Sequence, residues 1–559
     1  MKSSKYGPLL FILIIAATWF TFAALTGVNT GKRIANAPDL QTRPAYQTWT
    51  TDPTFNTAVK RLTGDVGNEI VWTGRRQGQP AYPPGIWPLK TRHHYSKDQP
   101  WNSNGKALHL EFYTDTGTSN GELFLNGETY EPLWPACSST GEGRWCYGCG
   151  FGTEYVRFIA RGKLLEWIDQ STCRQDRKWN LPFTVDGIGN SEGNQGQGAN
   201  GSRFVLLHDA TRMFTVNMAR SNSNGSIGVG PVTDVSACGL LDELGLPNCS
   251  IDWASISPSG NYAVVAVSDF LRVYDHDSNT QVLTPHAYDP NTYVCYNHED
   301  INGDYDPNGP ATGADPNTGS IFGLGHADMA ISPFDANTDV IVGQRRGWCP
   351  NPPSGDDPNN RWGQIYTIRL SSGAVRAVTM PLDPNYKVEQ QAWHISARDI
   401  SRPGWIYATY WSNRQDSPNN WLSVSDPNDL RRYQDEVLAI SLDPNLVSDP
   451  NAGIERWVNT HSTKYSKPIY GPSDPNTLVI YSQYRAEPHF VPAPNGMKGL
   501  WASNWYLDCS GNGCDPNSWT AFQALHAYVA DMTYVKTGVA VGGHRGKPKY
   551  DEPDPNDLY

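Results

Sequence analysis

Residues 253–283 read WASISPSGNYAVVAVSDFLRVYDHDSNTQVL, with apolar and polar positions alternating in four short runs. Ala254 and Ile256 alternate with Ser255 and Ser257 ahead of a Pro-Ser-Gly turn at 258–260. Runs at 262–267, 271–274 and 281–283 follow, separated by Ser, Asp and Asn. A period of two gives each run one apolar face, so the stretch predicts a small antiparallel meander. A four-stranded sheet cannot bury both faces alone. If the unit recurs, stacking copies around an axis covers every face, which is a β-propeller.

The unit recurs. Residues 326–342 (HADMAISPFDANTDVIV) repeat the strand, Ser-Pro turn and strand, and 363–378 supply an outer pair. Residues 393–410 (WHISARDISRPGWIYATY) are followed by runs at 436–442 and 455–459. Residues 468–484 are followed by 499–506. Trp253, His326, Trp393 and Pro468 lie roughly 70 residues apart, long for a blade, so the excess belongs to loops. Upstream, strands are expected at 107–113, 121–125, 155–168, 204–207 and 213–218. Residues 69–73 (EIVWT) read either as the first strand or as the outer strand that closes the ring. Residues 185–203 read as a mobile Gly/Asn/Ser loop. The expectation is an all-β fold: a β-propeller, seven blades the expected number, with long loops. Residues 28–68 form a lead-in, 69–535 the propeller and 536–559 a flexible tail.

Composition agrees with many turns and few helices: 52 Gly and 42 Pro in 559 residues, with no long Ala/Leu/Glu/Lys pattern. Net charge is −12 and there is no basic stripe, which argues against nucleic acid as a partner. Lys2 and Lys5 precede an apolar run from Leu9 to Leu25. Residues 1–27 therefore read as an export signal or as a retained N-terminal membrane anchor. Either places the body outside the cytoplasm: secreted, periplasmic or on the cell surface. Ten cysteines suit that compartment. Cys137, Cys146, Cys149 and Cys173 read as disulfide partners, with a four-thiolate zinc site as the alternative.

Asp-Pro-Asn occurs eleven times, always from residue 289 onward. Pro presets φ, Asn tolerates a left-handed backbone and the Asp carboxylate caps, so each copy predicts a surface turn. Nothing in the sequence explains their absence upstream.

A propeller brings the starts of its inner strands together at the axis. Several here open on polar or ionisable groups: Arg92-His93-His94-Tyr95, His208-Asp209, His326-Ala-Asp328, Gln391-Ala-Trp-His394, and Tyr484-Arg485 with His489. For any one His, a satisfied core or turn role is the simpler reading. Recurrence at equivalent positions favours a shared site. Asp300, Asn302, Asp304 and Asp306 alternate as at the start of an EF-hand calcium loop, although Tyr305 replaces the Gly and no Glu follows at the twelfth position. A solvated acidic turn is the alternative. No GxSxG, P-loop, HExxH, dinucleotide or C-x-x-C-H signature occurs.

Gln390-Gln391-Ala-Trp-His394-Ile-Ser396 resembles a segment of the secreted β-propeller polysaccharide lyases, oligogalacturonate lyases above all, with ulvan lyases in the same broad class. That family holds a divalent metal, typically Mn²⁺, with Gln-x-x-His-x-His plus an upstream His. Gln391 and His394 match the first two ligands, and His326 resembles the upstream one. Ser396 stands where the last His would be. The segment 92–105 (RHHYSKDQPWNSNG) resembles the family's first blade. The resemblance implies a propeller that cleaves an acidic, uronate-containing polysaccharide by metal-assisted β-elimination, with Mn²⁺ or Ca²⁺ as the ion. A base removes the proton α to the uronate carboxylate, and a cation must neutralise that carboxylate. Candidate bases are His94, His286 and His298. Arg92, Arg398 and Arg485 are candidate carboxylate clamps, and Tyr484 a candidate proton donor. Arg398 has a second reading, as support for the turn at 394–399. The alternative function is a non-catalytic surface propeller that binds glycans or proteins, with the Trp-rich stretch 411–421 stacking on sugar rings.

Overall fold

A computed structural model describes residues 29–30, 42–76, 78–113, 119–137, 142–147, 154–185, 195–197, 203–218, 232–236, 250–267, 270–275, 281–283, 326–335, 337–344, 365–372, 375–378, 392–399, 401–410, 435–446, 453–462, 469–471, 474–479, 487–505 and 524–533. Nearly all regular structure among them is β-strand. The meander at 253–283 forms as Ile251–Ile256, Tyr262–Val267, Phe270–Asp275 and Gln281–Leu283, paired antiparallel in chain order. Its first turn closes through Ser257 N to Tyr262 O at 2.8 Å, with Gly260 at φ 80°. That left-handed backbone is cheap for Gly.

Further sheets open on Lys90–Arg92, Glu142–Trp145, Gln195–Gln197, Asp328–Ser332, Ala392–Ser396 and Val491–Pro492. Buried apolar clusters join each sheet to the next. Phe124 of the Lys90 sheet meets Trp145 of the Glu142 sheet. Phe158 and Trp167 pack with Leu207 and Phe214, and Leu206 and Met213 with Ala254 and Val265. Trp253 and Val264 pack with Met329 and Ile341, and Val340 and Val342 with Ile406 and Leu438. Tyr407 and Trp457 pack with Phe490 and Trp501. Leu500 and Val529 then pack on Leu108 and Leu110 of the Lys90 sheet, so the ring is closed. The fold is an all-β propeller.

Several boundaries differ from the sequence reading. Ring closure falls upstream of residue 69. Ala58–Arg61 lies between Trp49–Thr51 and His526–Asp531, so one sheet combines the two ends of the described chain. Residues 69–73 do not close the ring; Glu69–Ile70 pairs with Gly85–Ile86 in a separate two-stranded ribbon. Arg174–Val185 is a long strand on Val156–Asp169, where no strand was expected. Its outer half alternates exposed and buried positions, but polar residues at the start of the strand mask the pattern. Gln195–Gln197, inside the expected Gly/Asn/Ser loop, pairs with Arg203–His208. Asn29–Thr30 adds an edge to the Ala392 sheet through Ile454–Asn459.

Cys137 and Cys173 form a disulfide with Cα atoms 5.1 Å apart, and Cys146 is also disulfide-bonded. The disulfide reading replaces the zinc alternative for these thiols. Of the two Asp-Pro-Asn copies among the described residues, 443–445 shows the predicted turn, whereas 474–476 opens the strand Asp474–Val479. The Asp443 carboxylate accepts from the Asn445 backbone N–H at 2.9 Å and its side-chain amide at 2.8 Å. The leader at 1–27, the tail at 536–559 and the Trp-rich stretch at 411–421 lie outside the described residues. No helix among the described residues is long and apolar enough to cross a membrane.

Candidate functional site

The starts of the inner strands meet at the axis. The strand Lys90–Arg92 ends on Arg92 and leads into His93, His94, Tyr95 and Lys97. His326 precedes Asp328–Ser332, His394 lies within Ala392–Ser396, and Glu487 and His489 precede Val491–Pro492. Residues distant along the chain become neighbours. His326 Nδ1 stands 3.2 Å from His394 Nδ1, and Tyr95 OH stands 3.2 Å from His326 Nδ1. The other side of His394 faces a carboxylate, with Nε2 3.0 Å from Glu487 Oε2. His489 Nε2 meets the same oxygen at 3.0 Å. The His394 and His489 rings are 3.9 Å apart, and Tyr95 meets both edge-on.

Two cations border this group. Arg92 is fully buried; it donates to the carbonyls of His93 and His94 at 2.9 and 2.8 Å and to His489 Nδ1. Lys97, also buried, places its ammonium 4.6 Å from the Trp253 ring centroid and 5.7 Å from that of Tyr95. Each is a cation–π distance. Tyr95, His94 and His326 are half-buried, whereas His394, Glu487 and His489 are buried.

Protonation follows from burial and charge. Burial lowers the His394 pKa against the pull of Glu487. Burial, then the neighbouring His394 and Arg92, hold His489 well below the usual histidine range. Both rings are therefore neutral near pH 7 and retain a lone pair. Burial, with Arg92 beside it, lowers His93 to about 3, and its Nε2 bonds the His489 carbonyl, so His93 braces the backbone. His94 goes the other way. Burial opposes its charge, but Glu111 and Asp98 outweigh burial and raise it to about 9. It is paired with Asp98, which also meets Arg144 Nε at 2.7 Å. His94 is thus held as an imidazolium, a poor base but a cation that can meet an anionic substrate.

The residues fit a divalent ion. Donor atoms of His394, Glu487 and His489 lie within 4.8 Å of one another, a set of two neutral imidazoles and one carboxylate. Arg92 donates to Nδ1 of His489, so Nε2 of the neutral ring carries the hydrogen and donates to Glu487. To ligate through Nε2 as a neutral imidazole, His489 would have to carry that hydrogen on Nδ1 and give up the bond from Arg92.

Of the residues singled out by sequence, His326 and His394 do come together and Arg92 lies beside them, whereas the His94 ring meets Asp98 and Arg144. Ser396, the last residue of the strand Ala392–Ser396, is fully buried and its hydroxyl makes no hydrogen bond among the described residues. Beside His394 stand His489, one of the polar strand openers, and Glu487, which the sequence reading did not single out. Arg398 takes its supporting role: it is buried, donates to Asp328, and its carbonyl accepts from Gln99 at 3.0 Å. His208 has a turn role, with Nδ1 2.7 Å from the Asp209 carbonyl while Asp209 pairs with Arg212. Gln391, His286, His298, Tyr484, Arg485, Asp300, Asn302, Asp304 and Asp306 lie outside the described residues.

No family model and no curated protein matches the chain. Solved structures of similar fold include an oligogalacturonate lyase in complex with manganese, 12% identical, covering 90% of this chain and 98% of that one at a TM-score of 0.44. The Kuenenia stuttgartiensis hydrazine synthase is 11% identical, covering 77% of this chain and 96% of its own at a TM-score of 0.37. The WD40 domain of Neurospora crassa Pan2 is 8% identical, covering 78% and 88% at a TM-score of 0.36. Such distant likenesses carry no argument about the site, which rests on its own geometry.

Proposed function

We propose that the protein is a lyase that cleaves an acidic, uronate-containing polysaccharide by β-elimination at the propeller axis. One observation carries the reading. Imidazoles from three sheets, His326, His394 and His489, converge with Glu487 between the buried cations Arg92 and Lys97, beside the half-buried Tyr95–His326 pair. Elimination needs such groups. A base takes the proton from C5, the electron pair forms the C4–C5 double bond, the bond from C4 to the glycosidic oxygen breaks, and that oxygen gains a proton.

Tyr95 and His326 are the proposed proton carriers. They are the more accessible members of the cluster, and the Tyr95 hydroxyl is hydrogen-bonded to the His326 ring. Arg92 and Lys97 supply positive charge toward the substrate carboxylate. His394, Glu487 and His489 would hold the divalent ion, with Mn²⁺ or Ca²⁺ as the ions proposed. When bound, the ion adds charge that stabilises the carboxylate as its α-proton leaves. His286 and His298 stay in the proposal as alternative bases, Tyr484 as an alternative proton donor and Arg485 as a carboxylate clamp. The reading places the enzyme outside the cytoplasm, which the Cys137–Cys173 disulfide favours.

The purified chain, incubated with a panel of uronate polymers and either ion, should raise ultraviolet absorbance as the unsaturated product accumulates. Tyr95→Phe and His394→Ala should each lower that rate by roughly 100-fold or more. No rise on any polymer with either ion would reject the lyase. Polymer retention without cleavage would favour the glycan-binding alternative, which the deep burial of His394 and His489 also suits.

A further inference from the structure

The strands Ala107–Tyr113 and Ser119–Asn126 set Glu111 directly opposite Glu122. His109 lies two residues before Glu111 and so shares its face. Like charges directly opposite on a sheet destabilise it unless something neutralises them. Part of the neutralisation is visible: Arg157 donates to Glu122 Oε2 at 2.6 Å, the Tyr113 hydroxyl donates to Glu111 Oε2 at 2.6 Å, and the His94 imidazolium interacts with Glu111. His109 is different. It is only 6% exposed, yet its Nε2 makes no hydrogen bond among the described residues, standing 3.5 Å from Glu122 Oε1. A buried polar atom without a hydrogen bond is costly and calls for a ligand. Donor atoms of His109, Glu111 and Glu122 lie within 4.8 Å of one another. His109 and Glu111 line a small polar cleft with His94, Asp98, Arg144 and Arg157.

We propose that His109, Glu111 and Glu122 form a second divalent-cation site between the Lys90 and Glu142 sheets, separate from the axial donors. One imidazole with two carboxylates suits a first-row ion of the Mn²⁺ or Zn²⁺ type. An ion there would occupy the orphaned imidazole nitrogen and separate the opposed carboxylates, bracing the first sheet of the ring. The site does not depend on the lyase reading.

The test uses the full chain, stripped with chelator and dialysed against Zn²⁺ or, in a second arm, Mn²⁺, with metal per chain measured by mass spectrometry. His109→Gln and Glu111→Gln should each remove one equivalent or weaken its binding at least tenfold. Each should also abolish a metal-dependent rise in melting temperature. His394→Ala should leave that equivalent in place, so loss of the axial ion and loss of this one are told apart. If either the His109 or the Glu111 variant folds and keeps the metal content and melting shift of the unaltered chain in both arms, the site is wrong. Using two variants keeps the test decisive if one fails to fold.

Discussion

Asp328 shows how one side chain can organise the floor of the site. Its carboxylate accepts from Met329 N and Ala397 N, each at 2.8 Å, and pairs with buried Arg398. Burial raises the Asp328 pKa while Arg398 and the two amides oppose the rise. Asp328→Ala would leave a guanidinium and two amides without their acceptor. Its expected cost is about 3–5 kcal/mol, read as a lower urea midpoint. A loss under about 1 kcal/mol, the size of an ordinary hydrogen bond, would show that Arg398 finds another partner. At this scale the sequence was partly legible. His326 and His394 stood out because polar residues opened strands that otherwise read as core. Glu487 did not, since a carboxylate before proline reads as a surface turn; the Glu-x-His spacing with His489 was the available signal. Lys97 lay in a polar run, and only the ring brings Trp253 over its ammonium.

Among the elements, the closing strand Ala58–Arg61 is the least conspicuous. It reads Ala-Val-Lys-Arg, and all four residues are buried. Charged residues in a short run look solvated, but Lys and Arg bury their stems when their heads find partners. The Lys60 ammonium lies 5.4 Å from the Trp49 ring and 5.5 Å from Tyr130, and Arg61 bonds Asp65 at 2.7 Å. The meander at 253–283 was legible for the opposite reason: its strands are local, regular and joined by Ser-Pro and Asp turns. Val59 faces Ala530 in the final strand, and strands flank Ala58–Arg61 on both sides. Val59→Pro removes a backbone donor from an interior strand and should destabilise by about 3 kcal/mol or more. Chemical denaturation checks it, with Val59→Ala, which keeps the backbone donor, as the comparison expected to lose less.

Over the whole molecule, histidines set the pH range of stability. Burial lowers His93, His461 and His526 to about 3. In the unfolded chain these groups take up protons near pH 6.5, but in the folded chain only near pH 3. Their stabilisation is therefore present above pH 6.5 and falls away as pH drops toward 3. His94, raised to about 9, acts in reverse: its contribution is full below pH 6.5 and is lost as pH rises through 9. The urea midpoint should pass through a maximum near neutrality. His461→Asn should flatten the acid limb, since Asn accepts the left-handed backbone found there, at φ 50°, and carries no proton. An unchanged acid slope would show that His461 titrates normally.

The pairing of Ala58–Arg61 with His526–Asp531 also governs the timing of folding. While a ribosome is still making the chain, the early strand waits for its mate until every sheet between the two has been made. A nascent molecule released just short of the final strand would have every other sheet and still stand as an open arc, with the apolar flank of its first sheet bare to the solvent.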